Sequence, residues 1–216
     1  MTVKILGKND IGKLKNLVKS SFPVIVIKKF AEKKKCFELI KYCHTQSKKI
    51  KHGKKNKNGL FFTFDVMPLK GKTDRIFRMF NLGANYCNNS KLIKDIYKLQ
   101  QNYIQKNKKN KKIYKRTQVI HYPKGGGFFG EHHHPRYPTN YGLILTLSEK
   151  FNHFTQGVTN FNYRGKNINL ESFNVTTGDL ILFKYDLPHK ITPCDPKEEL
   201  IFNEKGRWTL VVPLRY

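Results

Sequence analysis

From Ile113 onward the chain is broken into short β-rich stretches, at 114–122, 128–134, 141–147, 158–163, 167–170, 179–183, 189–192 and 208–214, with Gly, Pro and Asn between them. Runs of this length and spacing predict an all-β sandwich or barrel. The first half has a different texture. Ile11, Leu14, Leu17 and Val18 recur at helical spacing over 8–20, and Phe37, Leu39, Ile40 and Cys43 over 31–46. Val24-Ile25-Val26-Ile27 between them reads as a strand, as does 60–66, with 75–80 a further candidate. A third amphipathic helix is expected over 89–106, through Leu92, Ile93, Ile96, Leu99 and Ile104. The expected fold is α+β, mainly β: a jelly roll with supporting N-terminal helices packed against one sheet.

With 216 residues the chain suffices for one sizeable domain and not comfortably two. Residues 1–112 read as mixed helical and strand support, and 113–216 as the jelly-roll core. Two lysine-rich stretches, 48–58 and 106–112, read as solvated loops, the first also as a lid or anion contact.

The formal net charge is +27. Such a balance fits a polyanionic partner, nucleic acid or a membrane surface. It also fits a codon bias toward Lys and Asn, since Ala occurs only at Ala31 and Ala84. The lysines are spread along the chain with little Arg among them, and Arg is the residue that grips phosphate bidentately. Codon bias is therefore the reading adopted, with no membrane partner expected. Cys36, Cys43, Cys87 and Cys194 form no metal-like spacing and read as reduced thiols. Met1 to Lys19 lacks the apolar core of a signal peptide and reads as a lysine-bearing helix. No apolar run approaches the ~20 residues of a membrane span. A soluble, cytoplasmic protein is expected.

The most distinctive stretch is Glu131-His132-His133-His134-Pro135, entered through Tyr122-Pro123-Lys124-Gly125-Gly126-Gly127-Phe128-Phe129-Gly130. On a strand, His132 and His134 share one face, roughly 7 Å apart at Cα. Neutral imidazole is a common ligand for divalent transition metals. Two later landmarks follow: Gly178-Asp179-Leu180-Ile181-Leu182-Phe183 leading to His189, and Arg207-Trp208-Thr209 near the end. Asp179 reads as a turn residue bonding its own backbone. Asp186 is a candidate for orienting the His189 ring.

In this order the landmarks resemble the 2-oxoglutarate- and Fe(II)-dependent oxygenases, in particular their prolyl-hydroxylase-like branch, over roughly 113–216. Tyr122, Gly126, Gly127 and Phe129 match the family's approach to its first histidine, here His132. Gly178, Asp179 and Phe183 match the strand before the distal histidine, here His189, and Arg207 with Thr209 match the closing Arg-x-Thr. The resemblance implies a double-stranded β-helix binding Fe(II), 2-oxoglutarate and O2. It implies that His132 and His189 hold the metal and that Arg207, Thr209 and Tyr122 receive the co-substrate. The sequence departs from the family at His134, where a carboxylate is usual. His134 is read as a third ligand. The alternatives are that it stands off and leaves a position for a halide, or that Glu131 supplies an oxygen through a bulge.

Arg136, Tyr137 and Asn140 follow the histidines and are candidates for substrate contact. The implied activity is oxidation, chiefly hydroxylation, of a small metabolite such as an amino acid or related acid, with 2-oxoglutarate converted to succinate. The alternatives are an oxygenase acting on nucleic acid or protein, and a non-catalytic cupin-like metal-binding protein.

Overall fold

The computed structural model describes residues 2–49, 60–67, 74–104, 114–115, 117–135, 141–212 and 214–215. Most of the first lysine-rich loop, all of the second, and Arg136, Tyr137 and Asn140 lie outside the described residues.

In chain order come β1 (Val3–Leu6), a 3-10 turn (Lys8–Lys13), α1 (Leu14–Lys19), β2 (Val24–Ile27), α2 (Lys33–Ser47), β3 (Phe61–Met67) and β4 (Arg75–Asn81). Next are α3 (Ala84–Asn89), α4 (Lys91–Leu99) running on as a π turn (Gln100–Ile104), and β5 (Tyr114–Lys115). The β-rich half supplies β6 (Gln118–Lys124), β7 (Gly127–His132), β8 (Tyr141–Thr146), β9 (Thr159–Tyr163) and β10 (Lys166–Asn169). It continues through β11 (Leu180–Lys184), β12 (His189–Cys194), β13 (Ile201–Val211) and β14 (Leu214–Arg215).

Three expectations need correction. The N-terminal lysine-bearing stretch begins as a strand, not a helix: β1 pairs in parallel with β2, joining Val3 to Val24 and Leu6 to Ile27. The backbone bonds of that pairing depend on a segment twenty residues away, which local periodicity does not report. The helix expected over 89–106 is interrupted at Ser90, whose hydroxyl accepts from the Ile93 N–H and caps α4. The last long strand starts at Ile201, well before Trp208.

The order β11-β8-β13-β6 forms one sheet and β7-β12-β9-β10 the other. From β6 to β8 the chain steps between the sheets strand by strand, stays in the second for the β9–β10 hairpin, and crosses again at β11, β12 and β13. That winding is a jelly-roll double-stranded β-helix. β2 and β1 extend the first sheet beyond β11, and β4, carrying β3, extends it beyond β6. Through Arg75 and Ile76, β4 also pairs with β7 and so bridges the two sheets.

The strands' period of two divides two interiors. Leu143, Leu145, Leu180, Leu182, Trp208 and Leu210 face the helices and pack with Leu14, Leu39, Ile40, Ile93 and Ile96. Each such buried aliphatic contributes about 1.5–3 kcal/mol. The alternate positions face the space between the sheets: Ile144, Ile181 and Phe183 with Phe161, and Ile120 and Tyr122 with Phe77 and Ile191. The helices thus cover one sheet, and the space between the sheets is left for a site. No helix among the described residues is long and apolar enough to cross a membrane.

A local distortion aims β13. Its register with β6 shifts between Ile201 and Gly206. Three buried side chains hold the displaced carbonyls: Arg78 donates to Asn203 O (2.7 Å), the Trp208 indole to Glu204 O (2.9 Å), and His121 Nε2 to Lys205 O (2.7 Å). Gly206 closes the bulge at φ +121°, where an added Cβ would lie 2.4 Å from Tyr122 O. Beyond it, Arg207 and Thr209 fall on the inner face. Asp179 is structural, as expected, but it reaches beyond its own turn to the residues that follow β2. Fully buried, it accepts from Thr176 N (2.9 Å) and Lys29 N (2.8 Å) and pairs with Lys28 Nζ (2.5 Å).

Candidate metal centre

His132 ends β7 and His189 begins β12, and the two are direct cross-strand partners. The strand stops there, so His134 is positioned otherwise. Its N–H donates to Tyr185 O (3.0 Å) and its ring stacks on the Tyr185 ring, with centroids 4.5 Å apart. One potential ligand atom from each of the three histidines lies within 4.8 Å of the other two.

Two of the rings are held in a defined tautomer. His132 Nδ1 lies 2.9 Å from Gly130 O, and His189 Nδ1 lies 2.9 Å from Leu187 O. A carbonyl can only accept, so each Nδ1 carries the proton and each Nε2 keeps its lone pair. The carbonyl of Leu187 thus takes the orienting contact that the sequence reading gave to Asp186. Burial pushes the pKa of His189 down to about 3, reinforced by the neighbouring His132, and burial also lowers that of His132. Both rings are therefore neutral near pH 7, the form that binds metal.

Aromatic side chains wall the cluster. Phe129 stacks on His132 at 3.8 Å, and Phe183 and Phe161 lie 4.8 and 5.7 Å from His189. Glu131 and His133 are exposed. Among the described residues no carboxylate joins the three histidines. That removes the support for a Glu131 oxygen. The donor set suits a divalent transition metal, for which metal–nitrogen bonds of about 2.0–2.1 Å are usual.

Arg207 is 5% exposed and projects between the sheets. Its Nη2 donates to Thr159 Oγ1, while its Nη1 is buried without a hydrogen-bond partner. Among the described residues no carboxylate pairs with it. An uncompensated buried guanidinium is costly, so the position is suited to an incoming anion. Tyr122 and Thr209 share this corner: Arg207 pairs with Tyr122 across β13 and β6, and Thr209, two residues on along β13, lies on the same face. Burial raises the Tyr122 pKa to about 12, so the phenol keeps its proton.

Thr159 and the stacking Tyr185 were not anticipated, because nothing in their local sequence marks them. Thr159 fixes the depth of Arg207. It lies two residues along β9 from Phe161, the cross-strand partner of His189. The guanidinium therefore contacts β9 about 7 Å deeper than the histidine level, a separation comparable to a short dicarboxylate. A small cavity of about 60 Å³ touches Arg207, Thr159 and Thr146, whose hydroxyl is also buried without a partner. A larger cavity, about 580 Å³, lies among α2, α3 and α4, away from the histidines.

The sequence matches no protein-family model and no curated protein. Solved structures do match the fold. A Pseudomonas putida prolyl-4-hydroxylase is 12% identical with a TM-score of 0.60, over 95% of this chain and 98% of that one. An oxidoreductase of the 2OG-Fe(II) oxygenase family from Burkholderia pseudomallei is 10% identical, TM-score 0.56, over 99% and 95%. A Trichoplax adhaerens prolyl hydroxylase, solved with a hypoxia-inducible-factor oxygen-degradation-domain peptide, is 11% identical, TM-score 0.59, over 94% and 87%.

Proposed function

We propose that this chain, which has the double-stranded β-helix fold of the 2OG-Fe(II) oxygenases and prolyl hydroxylases it resembles, is itself an Fe(II)- and 2-oxoglutarate-dependent oxygenase. One juxtaposition carries the reading. Three histidines converge at one level between the sheets, two with Nε2 left to coordinate, and a buried guanidinium with no acid partner among the described residues lies one dipeptide deeper. A cupin-like metal-binding role would leave Arg207 without a task.

His132, His134 and His189 would hold the metal as three neutral ligands. With bound 2-oxoglutarate and O2, Fe(II) supplies the oxidising chemistry, the co-substrate leaving as succinate and CO2. Arg207 would receive the distal carboxylate, its fixed charge and paired donors matching the two oxygens. Tyr122 and Thr209 would add hydroxyl contacts. Phe129, Phe161 and Phe183 keep water from the metal side of the pocket, which strengthens each polar contact within it.

The first substrate class proposed is a small acid such as an amino acid. Arg136, Tyr137 and Asn140, just past the histidines, are the proposed contacts. The Trichoplax neighbour, crystallised with a peptide, makes a prolyl peptide the second class to test. The charge of +27 motivates a third, nucleic acid, which would bind with a steep loss of affinity on adding salt.

Anaerobic calorimetry is the direct test. Metal-loaded protein should bind 2-oxoglutarate, and aerobic incubation with candidate substrates should release succinate. Absence of 2-oxoglutarate binding to metal-loaded protein would remove the proposal.

A further inference from the structure

Two of the three histidines are held by one short loop. Tyr185-Asp186-Leu187-Pro188 joins β11 to β12. Its Leu187 carbonyl fixes His189 Nδ1. Its Tyr185 carbonyl accepts the His134 N–H, and its Tyr185 ring lies against the His134 ring with planes 24° apart.

The loop is itself pinned. Lys184 N–H donates to Pro23 O (3.0 Å), Leu187 N–H to Lys184 O (2.9 Å), and Asn162 N–H to Pro188 O (2.8 Å). Room for the Tyr185 ring exists because position 142, at the start of β8, is glycine. A Cβ there would come 2.8 Å from Tyr185 Cδ2 and 2.6 Å from Phe183 Cζ.

His132 and His189 are set by their strands. His134 lies beyond the end of β7, where no ladder fixes its backbone, and the loop does that work instead. We propose that Tyr185 is the positioning residue that makes His134 a metal ligand, its ring restricting the imidazole to rotamers that face His132 and His189. The inference rests on the metal-centre reading but adds to it. The third nitrogen ligand exists because of a tyrosine and a glycine distant in sequence, not because of the His132-x-His134 spacing alone.

Cobalt(II), whose visible absorption reports its ligands, tests this in the full chain without substrate. Loss of an imidazole in favour of water changes both band position and intensity. Tyr185→Leu keeps apolar bulk but removes the stack. Its cobalt spectrum should move to that of His134→Ala, with affinity falling about 10–100-fold, the usual range for losing a supporting contact. Tyr185→Phe should keep the wild-type spectrum. Tyr185→Ile, which also removes the stack while keeping apolar bulk, should reproduce the leucine spectrum and serves if Tyr185→Leu does not fold. A wild-type spectrum and affinity in Tyr185→Leu, or in Tyr185→Ile in its stead, overturns the proposal. If wild-type protein binds no cobalt, or binds it equally well as His132→Ala, the metal centre itself is wrong and this inference falls with it. Cobalt binding lost in His132→Ala but unchanged in His134→Ala leaves a two-histidine centre and rejects the role of Tyr185 alone.

Discussion

His132 and His189 face each other directly across β7 and β12, one closing its strand and the other opening its own. Their Nδ1 protons point away, toward Gly130 O and Leu187 O, so both remaining nitrogens are left for a shared ion. Replacing either with alanine should lower cobalt or iron affinity by at least about 100-fold, more than the loss of a supporting contact. Metal titration monitored by absorption or calorimetry measures this. Equal affinity in both variants and the wild type would place the metal elsewhere.

Arg207 should carry two opposite effects. Arg207→Met removes the partner for a distal carboxylate, and the Kd for 2-oxoglutarate should rise by a factor of about 30 or more, ~2 kcal/mol, typical of a buried charged contact. The same change removes a buried charge with no acid beside it among the described residues. Without co-substrate, the methionine protein should therefore be the more stable one, by about 1 kcal/mol or more. Thermal melts with and without 2-oxoglutarate should show the two proteins exchange rank. No such exchange would mean that Arg207 is structural.

At His134 the prediction turns on charge. His134→Asp lowers the charge of the centre by one unit and should raise the Kd of dianionic 2-oxoglutarate about tenfold, ~1.4 kcal/mol. Calorimetry at matched metal occupancy is the measurement. His134→Ala separates the alternatives: a drop in metal affinity identifies a ligand, while unchanged affinity means that His134 stands off and leaves a position open for a halide.

Stability should fall with acidification below about pH 6.5. His121 is fully buried, accepts from Arg78 Nε at Nδ1 (2.9 Å) and stacks on Trp208. Burial, then the Arg78 charge, push its pKa well below the usual histidine value. The folded chain therefore takes up this proton later than the unfolded chain. Its contribution to stability is fully present above the unfolded pKa of about 6.5 and is lost as the pH falls from there toward the folded pKa, at up to about 1.4 kcal/mol per pH unit. His44 and His153 shift the same way, again mainly through burial. Asp195 acts in a different window. Burial favours raising its carboxyl, but hydrogen bonds from Thr155 and Gln156 outweigh this and hold it low. Its share is present above its unfolded pKa of about 3.9 and is lost only below that. Urea unfolding between pH 7.5 and 4.5 should give a slope that becomes shallower in His121→Gln. An unchanged slope would remove His121 from the account.

Local sequence determined much of this protein. Alternating apolar residues and Gly, Pro or Asn breaks set the strands from 118 onward, and helical spacing set α2 and α4. His132, His189 and Arg207 were singled out differently, because their order along the chain resembles the oxygenase family's motifs. The strands and helices are readable because side-chain periodicity and turn chemistry act over a few residues. Tertiary structure decided the rest. It made β1 a strand by pairing it with β2, brought His132 opposite His189, and set Thr159 against Arg207. It also placed Tyr185 beneath His134, a contact that spacing along β7 cannot supply because the strand has ended. Each of these depends on register between distant segments and on burial, which exist once the two sheets have closed on each other.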